Sequence, residues 1–291
     1  MLWIFDGANS SIMAQQWDPD FARRSPMFEP LRACAAGLRT TQWPALDDLD
    51  RLLAQRSDPI TTAGGATLKV VAQARRPASW AERYEARVFL KGELQMRERN
   101  WHDLLNLLTW LAFPRAKAAL NARHYAALRQ QLAAGATNRG PAQDALTLFD
   151  EGGVIVASAD DALTGYLRGW RWKELFWDRR ALLPSRMRFY LFGHALYEKA
   201  LRPFTGITGR GVLWKTGPEL LAVPLGEQLP AIDAGIAQHI SDTRRLTATR
   251  ELEVVPVLGV PGWCADNDRE AYYDDLHYFR PARTRQRSVE E

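Results

Sequence analysis

Residues 97 to 121, RERNWHDLLNLLTWLAFPRAKAALN, set a histidine and an aspartate side by side at the start of an apolar run. Asn100 followed by Asp103 is a helix-start pattern. An Asn side chain accepts a first-turn N–H, and a carboxylate three residues later reaches back to the cap and favours the positive helix end. Capping therefore accounts for Asn100 and Asp103 and leaves His102 unexplained. His102 is a candidate ligand or general base; its plain alternative is a buried histidine with satisfied hydrogen bonds. Asn106, four residues on, shares its helical face. The pair does not extend to the His…His-Asp…Asp pattern of metal phosphohydrolases, because no histidine precedes position 102.

Two further segments carry similar chemistry. In DALTLFDEGGVIVAS, Asp144, Asp150 and Glu151 place three carboxylates within eight residues, a set able to bind a hard cation. Read as a β-hairpin over 144–158, an even separation points Asp144 and Asp150 to one face. Asp150-Glu151-Gly152-Gly153 is also ordinary turn composition, so Glu151 is read as a turn residue. In FGHALYEKAL, His194 and Glu198 stand at i and i+4. Both can address one metal, or the carboxylate can orient the imidazole; a surface ion pair is the plain alternative. The second histidine of a His-Glu-x-x-His helix is missing.

If these segments converge, His102, Asp144 and His194 are the catalytic candidates. His102, Asp144, Asp150, His194 and Glu198 are then the ligand candidates for Zn²⁺, Mn²⁺, Fe²⁺ or Mg²⁺. Arg99, Asn106, Arg115, Lys117 and Asn121, with Arg97 beside them, would suit an anionic partner, either a small phosphoester or nucleic acid. The expected function is a metal-dependent hydrolase. The rival is a non-catalytic protein-binding or assembly module using an aromatic surface, since the chain holds 11 Trp and aromatics dominate interface hot spots. Serine or cysteine nucleophile chemistry is disfavoured: there is no Gly-x-Ser-x-Gly elbow, and neither Cys34 nor Cys264 lies beside a histidine in sequence. The glycines of TGITGRG form no phosphate-binding motif.

Elements must position these residues. Helices are predicted over 44–57, over the apolar run 104–113, from Pro114 to about 133, near 160–168 and 171–178, over 187–201, and over EQLPAIDAGIAQHISDT. ATLKVVAQ and GVLWK read as strands, and 84–98 as a hairpin turning at Lys91-Gly92. Hairpins among helix pairs predict a mostly helical α+β fold of one domain. Residues 1–43 form an N-terminal arm, 44–252 the compact body, and 253–291 an aromatic C-terminal arm with a frayed end. With 46% hydrophobic residues and a net charge of +4 on scattered basic residues, the chain has ample core and no concentrated nucleic-acid footprint. The start of the chain has neither a basic n-region nor a sustained apolar stretch, and two cysteines make no disulfide framework. A soluble cytoplasmic protein without membrane contact is expected.

The combination RNWHDLLNLLTWLAFPRAKAALN, DALTLFDEGGVIV, FGHALYEKALRPF and PVLGVPGWCADND…YYDDLHYFRP resembles the bacterial family catalogued as domain of unknown function 3025, over roughly residues 20 to 282. The resemblance implies no activity. The chain departs from it before TLFDE, where an Arg-Asp pair is expected and Gln143-Asp144 stands instead.

Overall fold

The computed structural model describes residues 16–73, 77, 79–135 and 138–282. Helix makes up 55% and strand 13%, in two small sheets, so the fold is α+β and mostly helical, as the sequence predicts. In chain order the helices are α1 (Arg32–Ala35), α2 (Leu46–Ala54), α3 (Tyr84–Lys91), α4 (Trp101–Ala112), α5 (Pro114–Ala133), α6 (Pro141–Gly152), α7 (Asp161–Arg168), α8 (Leu183–Arg186), α9 (His194–Ala200), α10 (Pro218–Ala222) and α11 (Leu225–Ser241). The strands are β1 (Lys69–Ala72), β2 (Glu93–Met96), β3 (Gly153–Ser158), β4 (Met187–Leu191), β5 (Thr208–Lys215) and β6 (Glu253–Pro256).

The larger sheet runs β4-β3-β5-β6, with β3 antiparallel to β4 and parallel to β5. Every residue of β3 is buried, as befits a central strand covered on both faces. Its alternation divides the core. Val154 and Val156 join the cluster containing Leu105, Leu108 and Leu191, while Ile155 and Ala157 join the one containing Phe113, Phe149 and Ile236. Phe21, Phe28 and Leu31, from the segment expected as an N-terminal arm, are buried in the first cluster, as are Tyr273, Tyr278 and Phe279 from the C-terminal one.

Neither expected hairpin forms. Residues 84–91 are helical and end at Gly92, whose φ of +66° caps the helix; a Cβ there would meet the Thr67 carbonyl oxygen at 1.9 Å. The strand that follows, β2, pairs in parallel with β1, not with its own neighbour. Likewise 141–152 is a helix leading straight into β3. Pro141 takes its first position, and Ala145, Leu146 and Phe149 form its buried stripe at helical spacing. The helix predicted over 187–201 divides into β4 and α9. MRFYL is apolar enough to pair with β3 while buried, and Phe192-Gly193 breaks the chain direction before His194. Of the predicted 171–178 helix, the last five residues, Glu174–Asp178, form a π-helical turn.

The Phe192-Gly193 corner brings two parts of the site together. The N–H groups of Phe192 and Gly193 both donate to the Gly153 carbonyl at 2.9 Å. A Cβ on Gly193 would meet Gly153 N at 2.3 Å and Glu151 O at 2.4 Å. Only glycine lets the start of α9 lie on the end of α6. Gly193→Ala is expected to destabilise the fold by about 1–3 kcal/mol, the usual range for overpacking. Urea unfolding checks this; an unchanged midpoint would contradict it.

Candidate metal centre

Asn100 caps α4 as its type predicts, its Oδ1 accepting from Asp103 N at 3.0 Å. The Asp103 carboxylate turns back to receive the Arg97 backbone N–H at 2.7 Å and its guanidinium at 2.9 and 2.7 Å. His102, on the adjacent face, points instead toward α9. Its Nδ1 lies 3.0 Å from Glu198 Oε2, and its Nε2 lies 3.1 Å from His194 Nε2. Glu151, in the last turn of α6, completes the group: its Oε2 is 3.3 Å from His194 Nε2 and 3.9 Å from His102 Nε2.

These three atoms form a compact triangle. The point equidistant from them lies about 2.0 Å from each, by plane geometry on those separations, and Zn–N and Zn–O bonds are about 2.0–2.2 Å. His102, His194 and Glu151 would therefore be the residues to hold such an ion. Two imidazoles and one carboxylate suit Zn²⁺, Mn²⁺ or Fe²⁺ better than Mg²⁺, which prefers an all-oxygen shell. Glu198 does not join the triangle. It holds His102 Nδ1 and so fixes which ring nitrogen faces the centre, the usual place of a carboxylate behind a histidine ligand. His194 is 4% exposed, whereas His102, Glu151 and Glu198 are partly open to solvent.

The electrostatics separate the two histidines. Burial pushes the His194 pKa down to about 3, with the Asp150 charge only partly opposing it. At His102 burial also acts downward, but the Glu198 hydrogen bond and the charges of Glu151, Glu198 and Asp103 outweigh it and raise the pKa. Burial raises Glu151, helped by the neighbouring Asp150 charge. Without an ion, therefore, the centre takes up a proton more readily at His102 than at His194. A metal must displace it, so binding releases a proton and weakens as pH falls through the raised His102 pKa.

Glu198→Gln is expected to lower the His102 pKa in the metal-free protein and to weaken metal binding about 10–100-fold. Raised in the folded state, His102 contributes stability below its ordinary value of 6.5 that is lost as pH rises through the folded pKa. In the variant that loss moves to lower pH. Ring-proton NMR titration reads the shift, and a His102 titration identical to wild type would contradict the assignment.

The structure brings together His102, His194 and Glu198 from the sequence-predicted set, and adds Glu151, which the expected hairpin places in a turn. Read as a helix with Pro141 at its start, the same segment puts Glu151 seven residues, about 10 Å along the axis, from Asp144. Asp144 is indeed exposed in the first turn and stands apart from the centre. Asp150 points away from the triangle and accepts from Lys117 Nζ. Lys117 is therefore buried and spent on an ion pair. Asn106 donates to the Tyr84 hydroxyl at 2.8 Å and Asn121 to the Glu85 carbonyl at 3.0 Å, both buried. Arg115 contributes its backbone N–H to Asp233 at 3.0 Å, and its side chain is exposed. Arg99 is exposed, with φ of +50°, on the loop before α4. Gln143, at the departure from the family pattern, bonds Gln131 Nε2 at 2.8 Å on the neighbouring helix.

Among the described residues no helix is long and apolar enough to cross a membrane. No curated protein and no solved structure matches the chain. One family does, over residues 68–283, a span that holds α3 through β6, all four site residues and most of the C-terminal segment. The chain belongs to the family described as Protein of unknown function (DUF3025).

Proposed function

We propose that the chain is a mononuclear metal-dependent hydrolase acting on phosphoesters, with His102, His194 and Glu151 as ligands and Glu198 as the carboxylate that orients His102. The observation that carries this reading is the triangle of His102 Nε2, His194 Nε2 and Glu151 Oε2, with edges of 3.1, 3.3 and 3.9 Å. Two histidines and one glutamate is a donor set found in catalytic zinc sites. An ion held there would lower the pKa of a water in its open position and polarise a phosphoryl oxygen. The protein's own part is to turn both Nε2 atoms toward the centre, to hold His102 through Glu198, and to leave His102 and Glu151 partly open to solvent.

Support for an anionic substrate comes from Arg99, on the loop leading into α4. Arg97 is already paired with Asp103. Arg99 is exposed and has no ion-pair partner among the described residues. The rival binding-module reading draws on the aromatic content, but those rings pack on one another. Trp17 stacks on Trp101 at 5.2 Å, with Trp43 and Phe21 against the same indole.

The test is a panel of phosphomonoester and phosphodiester reporters with Zn²⁺ or Mn²⁺ added to metal-stripped protein. Metal-dependent turnover that disappears in His102→Ala and His194→Ala is expected. Stoichiometric metal binding with no turnover on either reporter class would reject the phosphoesterase reading while leaving the metal centre standing.

A further inference from the structure

Next to the metal centre, across α6, lies a second set of polar groups that an apolar core would not need. Lys117 is 3% exposed and its ammonium is hydrogen-bonded to Asp150; the His124 ring is also buried in this region, and Glu85 is half-buried. A half-open cavity of about 10 Å³ lies there between α3, α4, α5 and α6, lined among others by Glu85, Trp110, Lys117, Asn121, His124 and Asp150. That volume suits one water molecule. Asn121 Oδ1 and Trp110 Nε1 are buried around it without hydrogen-bond partners, one an acceptor and the other a donor. A water placed there has a donor and an acceptor waiting, as well as the charges of Lys117 and Asp150.

The chamber touches the metal centre through one helical turn. Asp150 and Glu151 are successive residues of α6, about 100° apart around its axis. Asp150 therefore points into the chamber while Glu151 points to His194. The charges of both Asp150 and Lys117 are also felt at the His194 ring. We propose that Lys117 is a positioning residue for the metal centre: an internal cation that, with one ordered water in the chamber, fixes Asp150 and through it the direction of the ligand Glu151. This rests on the metal-centre reading above. It explains why a lysine is buried among carboxylates here, since a buried ion pair is a poor route to stability.

The test compares metal-stripped wild type, Lys117→Met, and the double variant Lys117→Met/Asp150→Asn, in which the pair becomes neutral at similar volume. Each is titrated with Zn²⁺ for affinity and with Co²⁺ for its visible absorption, which reports ligand geometry. The double variant is expected to keep the wild-type circular dichroism, to bind Zn²⁺ about 10–100-fold more weakly, the range for residues behind metal ligands, and to show an altered Co²⁺ spectrum. Lys117→Arg, which restores the cation, is expected to recover part of the affinity. Wild-type Zn²⁺ affinity and an unchanged Co²⁺ spectrum in the double variant would overturn the positioning role. So would loss of its fold, because the pair would then be a determinant of the core. Failure of wild type itself to bind either ion would instead overturn the metal centre.

Discussion

His194→Ala is expected to reduce Zn²⁺ affinity by more than about 100-fold, since removing a ligand should exceed the 10–100-fold loss seen for residues behind ligands. The chain should nevertheless stay folded. His194 is buried between α9 and the end of α6, and its Nδ1 lacks a hydrogen-bond partner in the metal-free arrangement. Its removal leaves a cavity but also takes away a polar atom that was unsatisfied. Differential scanning calorimetry separates the two effects. In wild type, an ion at 100 times its dissociation constant should add about 2.7 kcal/mol of stability. In His194→Ala the melting temperature should be almost independent of added Zn²⁺. A variant that is still stabilised by Zn²⁺ as strongly as wild type would show that the ion binds elsewhere.

The largest expected effect on the fold belongs to Lys117. Lys117→Met leaves the Asp150 carboxylate without its counter-ion, and breaking a buried pair from one side costs about 3–5 kcal/mol. Burial alone would push the Asp150 carboxyl up. The Lys117 ammonium, with His194 and His124 behind it, instead holds its pKa at about 2. The sign of the pH dependence follows. With a folded pKa below its ordinary 3.8, Asp150 contributes stability that is present above pH 4 and lost as pH falls toward 2. In Lys117→Met that carboxyl titrates at higher pH and is neutral in acid, so the gap between variant and wild type should narrow on acidification. Urea unfolding at pH 7 and pH 4 measures it. An equal gap at both values would mean that the lysine acts through packing of its alkyl chain, which lies 5.7 Å from the Trp110 ring at its Nζ end.

How much of this was legible in the sequence depended on whether an element was set by local pattern or by its neighbours. The α4 start was legible because capping is local: Asn100 caps the helix as its type predicts, whereas the Asp103 carboxylate reaches past the cap residue to Arg97. So were the helix after Pro114 and the mostly helical α+β class. The hairpins were not. Short apolar runs such as ARVFL and MRFYL fit strand or helix equally well, and only pairing decides between them: β4 found β3, whereas α3 packs its Ala86 and Val88 inward as a helix. The same ambiguity hid Glu151. Assigned to a turn it had no reason to meet His194; at the end of a helix abutting Gly193 it does. His102, His194 and Glu198 were nameable because each carried chemistry that its local structure did not use. Lys117, Asn106 and Asn121 sat beside the motif and looked like substrate contacts, but the α3–α5 packing turns them inward.

X-ray absorption spectroscopy of the Zn²⁺-loaded wild-type chain tests the central claim most directly. The expected result is one ion per chain, with two imidazole nitrogens, one carboxylate oxygen and solvent at about 2.0–2.2 Å. No stoichiometric ion, or a shell without imidazole, would contradict it.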